Sequence, residues 1–352
     1  MKNKDVKVLL LASNFNGGFK AFDVFIDVII NHFENNHIEY RFASSVDSAI
    51  NYIQNETIDF SINVGLYEYF IDGVPLYEKY HVHNYQWIMD NPLKLDLDYH
   101  SKYNHLIFID EDFNKVIEEK VDALTLPMIF PDLDKTNASK KDAILAPLKI
   151  RDLLAIKDEI EHSEEKDNVY SFINSFDYDK SYIDALIEYL NTHHVKNKEQ
   201  FFRLTNSYIR TDKRMKIINS IHSKPIYLLS SQKLPLIDNP NVIYIEAYDF
   251  VKTLELMKEF KYVLTVSPNY DKALHERVGY ALSSGAIVIA DKTSLLDELH
   301  FPGRISYHEL DKIDEIIKDL DENTQSTQWE IIQKYDFYNI FNKILEHYLR
   351  QK

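Results

Sequence analysis

Three chemically capable side chains stand together at one helix start, in Ala273-Leu274-His275-Glu276-Arg277-Val278. An apolar run at 262–266 and a polar loop, Ser267-Pro268-Asn269, precede them. After them come a small-residue turn, Ser283-Ser284-Gly285, and a second apolar run that ends at Asp291. In an open parallel sheet, a helix that follows a strand turns its free N–H groups and positive dipole end into the ligand crevice. An arginine in that first turn opposes the helix dipole. An anion such as a diphosphate, seated between the two, removes the conflict. Arg277 is thus read as an anion ligand, against the alternative of a surface ion pair with Glu276 or Asp271. Glu276 is read as an acceptor for a ribose or sugar hydroxyl, or as a plain complement to the dipole. His275 is either a phosphate contact or a structural helix entry.

Other candidates carry weaker signals. Gly17 and Gly18 follow the first apolar run, where backbone N–H groups can approach a phosphate or an acceptor. Asp90 ends an apolar run just before Pro92 and is read as a base for an acceptor hydroxyl or as a cap. Lys180 and Arg203 are possible phosphate partners, little different from surface charges. His81 and His83 alternate on one expected strand face, a spacing compatible with metal. No third ligand stands out, and the reading is no metal site.

Composition sets bounds. The chain has 352 residues, enough for two domains, with 45% hydrophobic and 27% charged residues as in ordinary globular proteins. Its net charge of −16 argues against nucleic acid or anionic membranes as partners. The densest basic patches, Lys196-Asn197-Lys198 and Arg210-Thr211-Asp212-Lys213-Arg214, are read as solvated helix faces. There are no cysteines, so disulfides and thiolate chemistry are excluded. No apolar run reaches transmembrane length, and a cytoplasmic protein is expected. The 24 tyrosines read as a composition bias.

The elements that must position these residues follow from periodicity. Strands are expected at 6–11, 38–43, 60–64, 83–89, 105–109 and 123–126, with helices at 21–33 and 46–54 between them. A charged helix at 149–166 leads to a hydrophilic connection at 161–167. The alternation then restarts, with strands at 169–173, 225–229, 242–245, 262–266 and 287–290 and helices near 181–190 and 250–260. Helices close the chain at 329–349. Alternating strands and helices give an α/β fold of two Rossmann-like domains facing a central cleft. The expected division is 1–160, then 161–326, with 327–352 as C-terminal helices packing back toward the first domain.

These residues resemble the GT-B glycosyltransferases, in particular group-1-like families with a CgeB-like (spore-maturation-protein-like) C-terminal half. The resemblance rests on Ser267-Pro268, His275-Glu276-Arg277-Val278, Ser283-Ser284-Gly285 and the strand at 286–290. Leu295-Leu296-Asp297-Glu298-Leu299 and Gly303-Arg304-Ile305 continue it. It covers residues 242–320 well; the N-terminal half offers only Gln86-Trp87-Ile88-Met89-Asp90-Asn91-Pro92. The resemblance implies a nucleotide-sugar donor held by 161–326, a glycan, polymer, lipid-linked or protein acceptor held by 1–160, no separate cofactor, and metal-independent transfer with retention. It places Asn174 and Ser175 in a loop over the donor at a strand end, Tyr248 beside the base, and Ser267, Pro268 and His275 around the donor. One departure is plain. Retaining members often carry a glutamate for the ribose where this chain has Tyr280, and Glu276 lies four residues earlier on the same helix face. Two rivals accompany this reading: a non-catalytic GT-B partner of an active transferase, and a nucleotide-sugar epimerase.

Overall fold

The computed structural model describes residues 6–12, 21–89, 92, 97, 100–117, 123–127, 130–131, 139–246, 249–267, 271–333 and 337–352. Two compact units emerge. The first comprises Met1–Phe130, Asp249–Val251 and Tyr335–Lys352; the second comprises Pro131–Tyr248 and Lys252–Lys334.

The first unit runs β1 (Lys7–Leu11), α1 (Ala21–Asn35), β2 (Glu39–Ala43), α2 (Val46–Asn55) and β3 (Phe60–Val64). A small hairpin, β4 (Phe70–Ile71) and β5 (Val74–Pro75), leads into α3 (Leu76–Tyr80). Then come β6 (His83–Ile88), β7 (Asn104–Phe108) and β8 (Leu124–Thr125). The main sheet has the order β2-β1-β3-β6-β7-β8, and all its pairs are parallel. Its central strands read as unbroken apolar or small-polar runs because both faces are covered: β3 is buried at every position.

The second unit runs β9 (Lys141–Ala146), α4 (Leu153–Glu161), α5 (Lys166–Ser175), α6 (Tyr182–Thr192), α7 (Lys198–Ser220), β10 (Ile226–Leu229) and β11 (Val242–Ile245). It continues with α8 (Phe250–Glu259, which joins this unit from Lys252), β12 (Phe260–Thr265), α9 (Glu276–Ser283), β13 (Ile287–Asp291), α10 (Ser294–Glu298) and β14 (Arg304–Ile305). A 3-10 segment, Tyr307–Lys312, precedes α11 (Ile313–Lys318) and α12 (Glu322–Ile332). The sheet order is β11-β10-β9-β12-β13-β14, all parallel. Counted within the unit this is 3-2-1-4-5-6, the doubly wound dinucleotide-fold order, whose ligand crevice opens at the reversal between the first and fourth strands. Here that reversal lies between β9 and β12. The last helix, α13 (Phe337–Gln351), belongs to the first unit, where Phe341 packs against Phe33 and Phe60 at ring distances of 5.4 and 6.2 Å.

Two expectations fail. The strand at 169–173 does not exist; Val169, Phe172, Ile173 and Phe176 are buried at helical spacing, and 169–173 lie in α5. The sheet begins instead with β9, so the expected boundary at 160 falls inside α4 of the second unit. At the other end, residues 327–333 stay with the second unit, and only Tyr335–Lys352 returns to the first.

Candidate functional site

The turn between β12 and α9 lies beside the reversal of the second sheet. His275 is the N-cap of α9 with extended backbone, and Glu276 and Arg277 form the first turn. The helix ends before Gly285, whose φ of +74° closes it in the left-handed region that glycine reaches without a Cβ clash. His275 Nδ1 lies 2.8 Å from Glu276 Oε2 and 3.2 Å from the Arg277 backbone nitrogen. One ring atom cannot donate to the first and accept from the second at once. The carboxylate contact is shorter and charge-assisted, and it dominates. Burial opposes charge on Glu276, but His275 and Arg277 outweigh it and hold the carboxyl down to about 2. Burial lowers the His275 imidazole against the pull of Glu276.

Arg277 does not point into water. Its side chain is 15% exposed, its Nε is 4.0 Å from Glu276 Oε1, and its buried Nη1 has no hydrogen-bond partner among the described residues. A second guanidinium joins it from α7. Arg214 is 3% exposed, donates through Nη1 to the Lys149 carbonyl, and leaves its buried Nε unpartnered among the described residues. Burial disfavours its charge, and the nearby guanidiniums of Arg277 and Arg210 add to that penalty. Lys213, one position earlier, is 5% exposed, with its Nζ 3.9 Å from Asp291 Oδ2. Burial lowers its ammonium, and Asp291 pulls the other way.

Asp291 is the last residue of β13. Its Oδ1 accepts the Ser267 backbone N–H at 2.6 Å, which ties the ends of β12 and β13 together. Burial pushes its carboxyl up to about 6, against Lys213, the Ser267 N–H and Arg214. Tyr307 closes the group. Its ring centroid lies 5.1 Å from Lys213 Nζ, and its buried hydroxyl has no partner among the described residues. Asp179 holds that tyrosine in place by accepting the Tyr307 N–H at 2.7 Å and the Ser306 hydroxyl.

Two buried cations, Lys213 and Arg214, and a largely covered third, Arg277, thus share the C-terminal edge of a parallel sheet with a helix N-terminus. Each unmet buried donor costs about 1–3 kcal/mol, more when charged. A fold retains such groups where a ligand meets them, and an anion rich in oxygen acceptors would satisfy both guanidiniums together.

Ser267, His275, Glu276 and Arg277 are brought together in this way. Gly17, Gly18, Asp90, Tyr248 and Pro268 lie outside the described residues. Asn174 and Ser175 are not at a strand end; they lie in the last turn of α5, where the Ser175 hydroxyl donates to the Ser171 and Phe172 carbonyls. Lys180 is exposed, and Arg203 pairs with Glu159 at 2.9 Å. His81 is a left-handed C-cap of α3, and only His83 lies on β6. Tyr280 is 2% exposed, on the inward side of α9. The reading of Arg210–Arg214 as a solvated face is overturned at Lys213 and Arg214. Phase was the available signal. The two residues stand on the stripe defined by buried Asn206, Ile209 and Ile217.

No protein-family model and no curated protein matches the chain. Solved structures do. AviGT4, a glycosyltransferase involved in avilamycin A biosynthesis, superposes with a TM-score of 0.55 at 10% identity over 98% of both chains. An alpha-glucosyltransferase in complex with UDP and a 13-mer DNA containing a HMU base gives 0.54 at 11% identity, over 97% of this chain and 99% of the other. The DNA-modifying enzyme beta-glucosyltransferase, studied in the presence and absence of uridine diphosphoglucose, gives 0.52 at 12% identity over 97% and 100%. These likenesses establish the fold as that of the GT-B glycosyltransferases.

Proposed function

We propose that this chain is a glycosyltransferase that takes its sugar from a nucleotide-diphosphate donor bound by the second unit. The observation that carries the reading is the group formed by two incompletely bonded guanidiniums, Arg214 and Arg277, with the buried ammonium of Lys213 beside them, near the N-terminus of α9. In that arrangement Arg277 and Arg214 bracket the diphosphate and Lys213 adds a point charge. As the bond from the anomeric carbon to the diphosphate breaks, negative charge grows on the leaving oxygens. Preset guanidiniums and helix N–H groups in a poorly hydrated site stabilise that charge without reorganising. They fill the role a divalent cation fills elsewhere, so transfer is expected to survive chelation by EDTA. Glu276, ionised and oriented by His275, accepts a ribose or sugar hydroxyl. The acceptor hydroxyl is assigned to the first unit, with Asp90 as candidate base, and the configuration at the anomeric carbon is retained. The chain's net charge of −16 favours a glycan, lipid-linked or protein acceptor over DNA.

A thermal-shift panel with UDP, GDP, dTDP, CDP, ADP and their sugar conjugates tests this. A ligand at 100 times its dissociation constant stabilises the native state by about 2.7 kcal/mol. One nucleotide raising the melting temperature, with the effect lost in Arg277→Ala, supports the reading; no shift with any of them sinks it. The burial of Tyr280, where an acidic ribose ligand is expected, favours one alternative: a non-catalytic partner of an active transferase. Turnover of any nucleotide sugar removes that alternative.

A further inference from the structure

We propose that Asp291 is the resident counter-ion of the cationic cluster, and that filling the site with a diphosphate drives uptake of one proton onto its carboxylate. This rests on the donor-site reading above and adds to it a regulation by pH.

The geometry supplies the argument. Asp291 is 1% exposed at the end of β13. One oxygen is fixed by the Ser267 N–H, while the other, Oδ2, faces Lys213 at 3.9 Å and has no hydrogen-bond partner among the described residues. The charged and titratable groups around it come from every neighbouring element. α7 contributes Lys213 and Arg214, and the segment after β14 contributes Tyr307, with Asp179 behind it. Asp271 of the loop after β12 and Asp177 act on Lys213, while Arg277 and His275 of the α9 start act on Arg214. With the site empty, the carboxylate offsets part of the mutual repulsion of Lys213, Arg214 and Arg277. A diphosphate brings two further negative charges to the same cations. The carboxylate then changes from a counter-ion into a like charge in a region of low dielectric, where such repulsion is strong. Binding a proton from solvent removes it. No covalent step is involved, and the proton balance is one per ligand at most. Burial already places this carboxyl close to neutrality, so the added cost is small.

The sign follows from linkage. A group whose pKa is higher in the bound state than in the free state makes binding tighter as pH falls, and that gain is lost as pH rises through the bound-state value. Affinity is therefore expected to be about five-fold greater at pH 6 than at pH 8, with roughly half a proton taken up per ligand near pH 7.

Isothermal titration calorimetry decides the matter, run near pH 7 in MOPS and in Tris, whose ionisation enthalpies differ and neither of which supplies phosphate. The probes are UDP-glucose, GDP-mannose, dTDP-glucose and ADP-glucose, diphosphate diesters with no proton to exchange between about pH 5.5 and 8.5. Uptake in the wild type that vanishes in Asp291→Asn, which keeps an acceptor for the Ser267 N–H, supports the proposal. In His275→Asn, which retains a helix cap but weakens the orientation of Glu276, affinity is free to fall while proton uptake per bound ligand must survive. Binding without uptake, uptake that persists in Asp291→Asn, or uptake lost in His275→Asn each overturns the proposal while leaving the donor-site reading intact. Failure of all four probes to bind removes both.

Discussion

His83 Nδ1 and His105 Nε2 face each other at 2.8 Å, with the two rings 12° from parallel. A third imidazole, His347 of α13, lies 5.0 Å from the His105 ring and shares a 2.9 Å hydrogen bond, through Nδ1, with the Tyr85 hydroxyl. The same helix, through Tyr348, and Lys352 just after it are tied to Asp59, each at 3.2 Å. Histidine here joins the first sheet to the end of the chain.

Burial, together with His347 and Lys352, lowers the His83 pKa from its usual 6.5. A histidine whose folded pKa is depressed contributes its full stability above the unfolded value, and that stability drains away as pH falls through the folded value. The first unit should thus weaken below about pH 6.5. Hydrogen exchange of the α13 amides should quicken from pH 7 to pH 5, after correction for intrinsic rates. His83→Gln should flatten that dependence. An unchanged profile in the variant would assign the effect to other groups.

Arg214 sets stability against binding. Replacing a buried, incompletely bonded guanidinium by an apolar chain of similar length removes a desolvation penalty. Arg214→Met is therefore expected to hold or raise the unfolding free energy in urea, by about 1–2 kcal/mol. The same change should weaken nucleotide-diphosphate binding roughly 30-fold or more. A variant that loses stability and binding in step would mean that Arg214 is a structural residue.

Gln328 does the work of a missing strand residue. Its carbonyl accepts the Val288 N–H at 2.9 Å, and its amide donates to the Val288 and Pro302 carbonyls, both at 2.7 Å. Gln328→Leu preserves volume and strands three backbone groups, and should cost roughly 2–4 kcal/mol in urea unfolding. A loss below about 1 kcal/mol would show that the backbone finds other partners.

Gly303 lies next to that contact, with φ +82°, and a Cβ there would stand 2.7 Å from the Val288 carbonyl oxygen. That nearest atom is backbone, and Gln328 Nε2 at 3.3 Å crowds the same position, which leaves little room to yield. Gly303→Ala is expected to lower the melting temperature of the second unit more than Gly73→Ala lowers that of the first, since a Cβ on Gly73 meets nothing within 4 Å. Equal effects would place the whole cost in the positive φ that the two glycines share.

The parts legible in sequence were those in which one residue type repeats with one period. The parallel strands at 60–64 and 242–245 fell where their apolar runs said, and so did the His275-Glu276-Arg277 helix start. α5 was missed because residues 169–173 contain Val, Tyr, Phe and Ile, which favour strands, and only the wider spacing reaching Phe176 marks a helix. Lys213 and Arg214 were missed for a different reason. Charge type suggests water, whereas only their phase along α7 places them inside, and phase needs the helix boundaries first. The sequence marks Asp291 as the end of an apolar run and Tyr307 as part of the resembling segment, but nothing local brings either to Lys213, since that proximity is made by strand order rather than by spacing in the chain.

The first unit is written in pieces, its closing helix separated from the rest by the whole of the second. Phe33 and Phe60 meet Phe341 only when nearly all of the chain is available. During synthesis, the second unit emerges complete while the first still exposes the apolar surface that α13 will cover. The order of maturation on the ribosome is then the reverse of the order of the sequence. A stop codon between the end of the second unit and Phe341 would leave that unit finished and the first without its α13 cover, so premature termination there should yield aggregates.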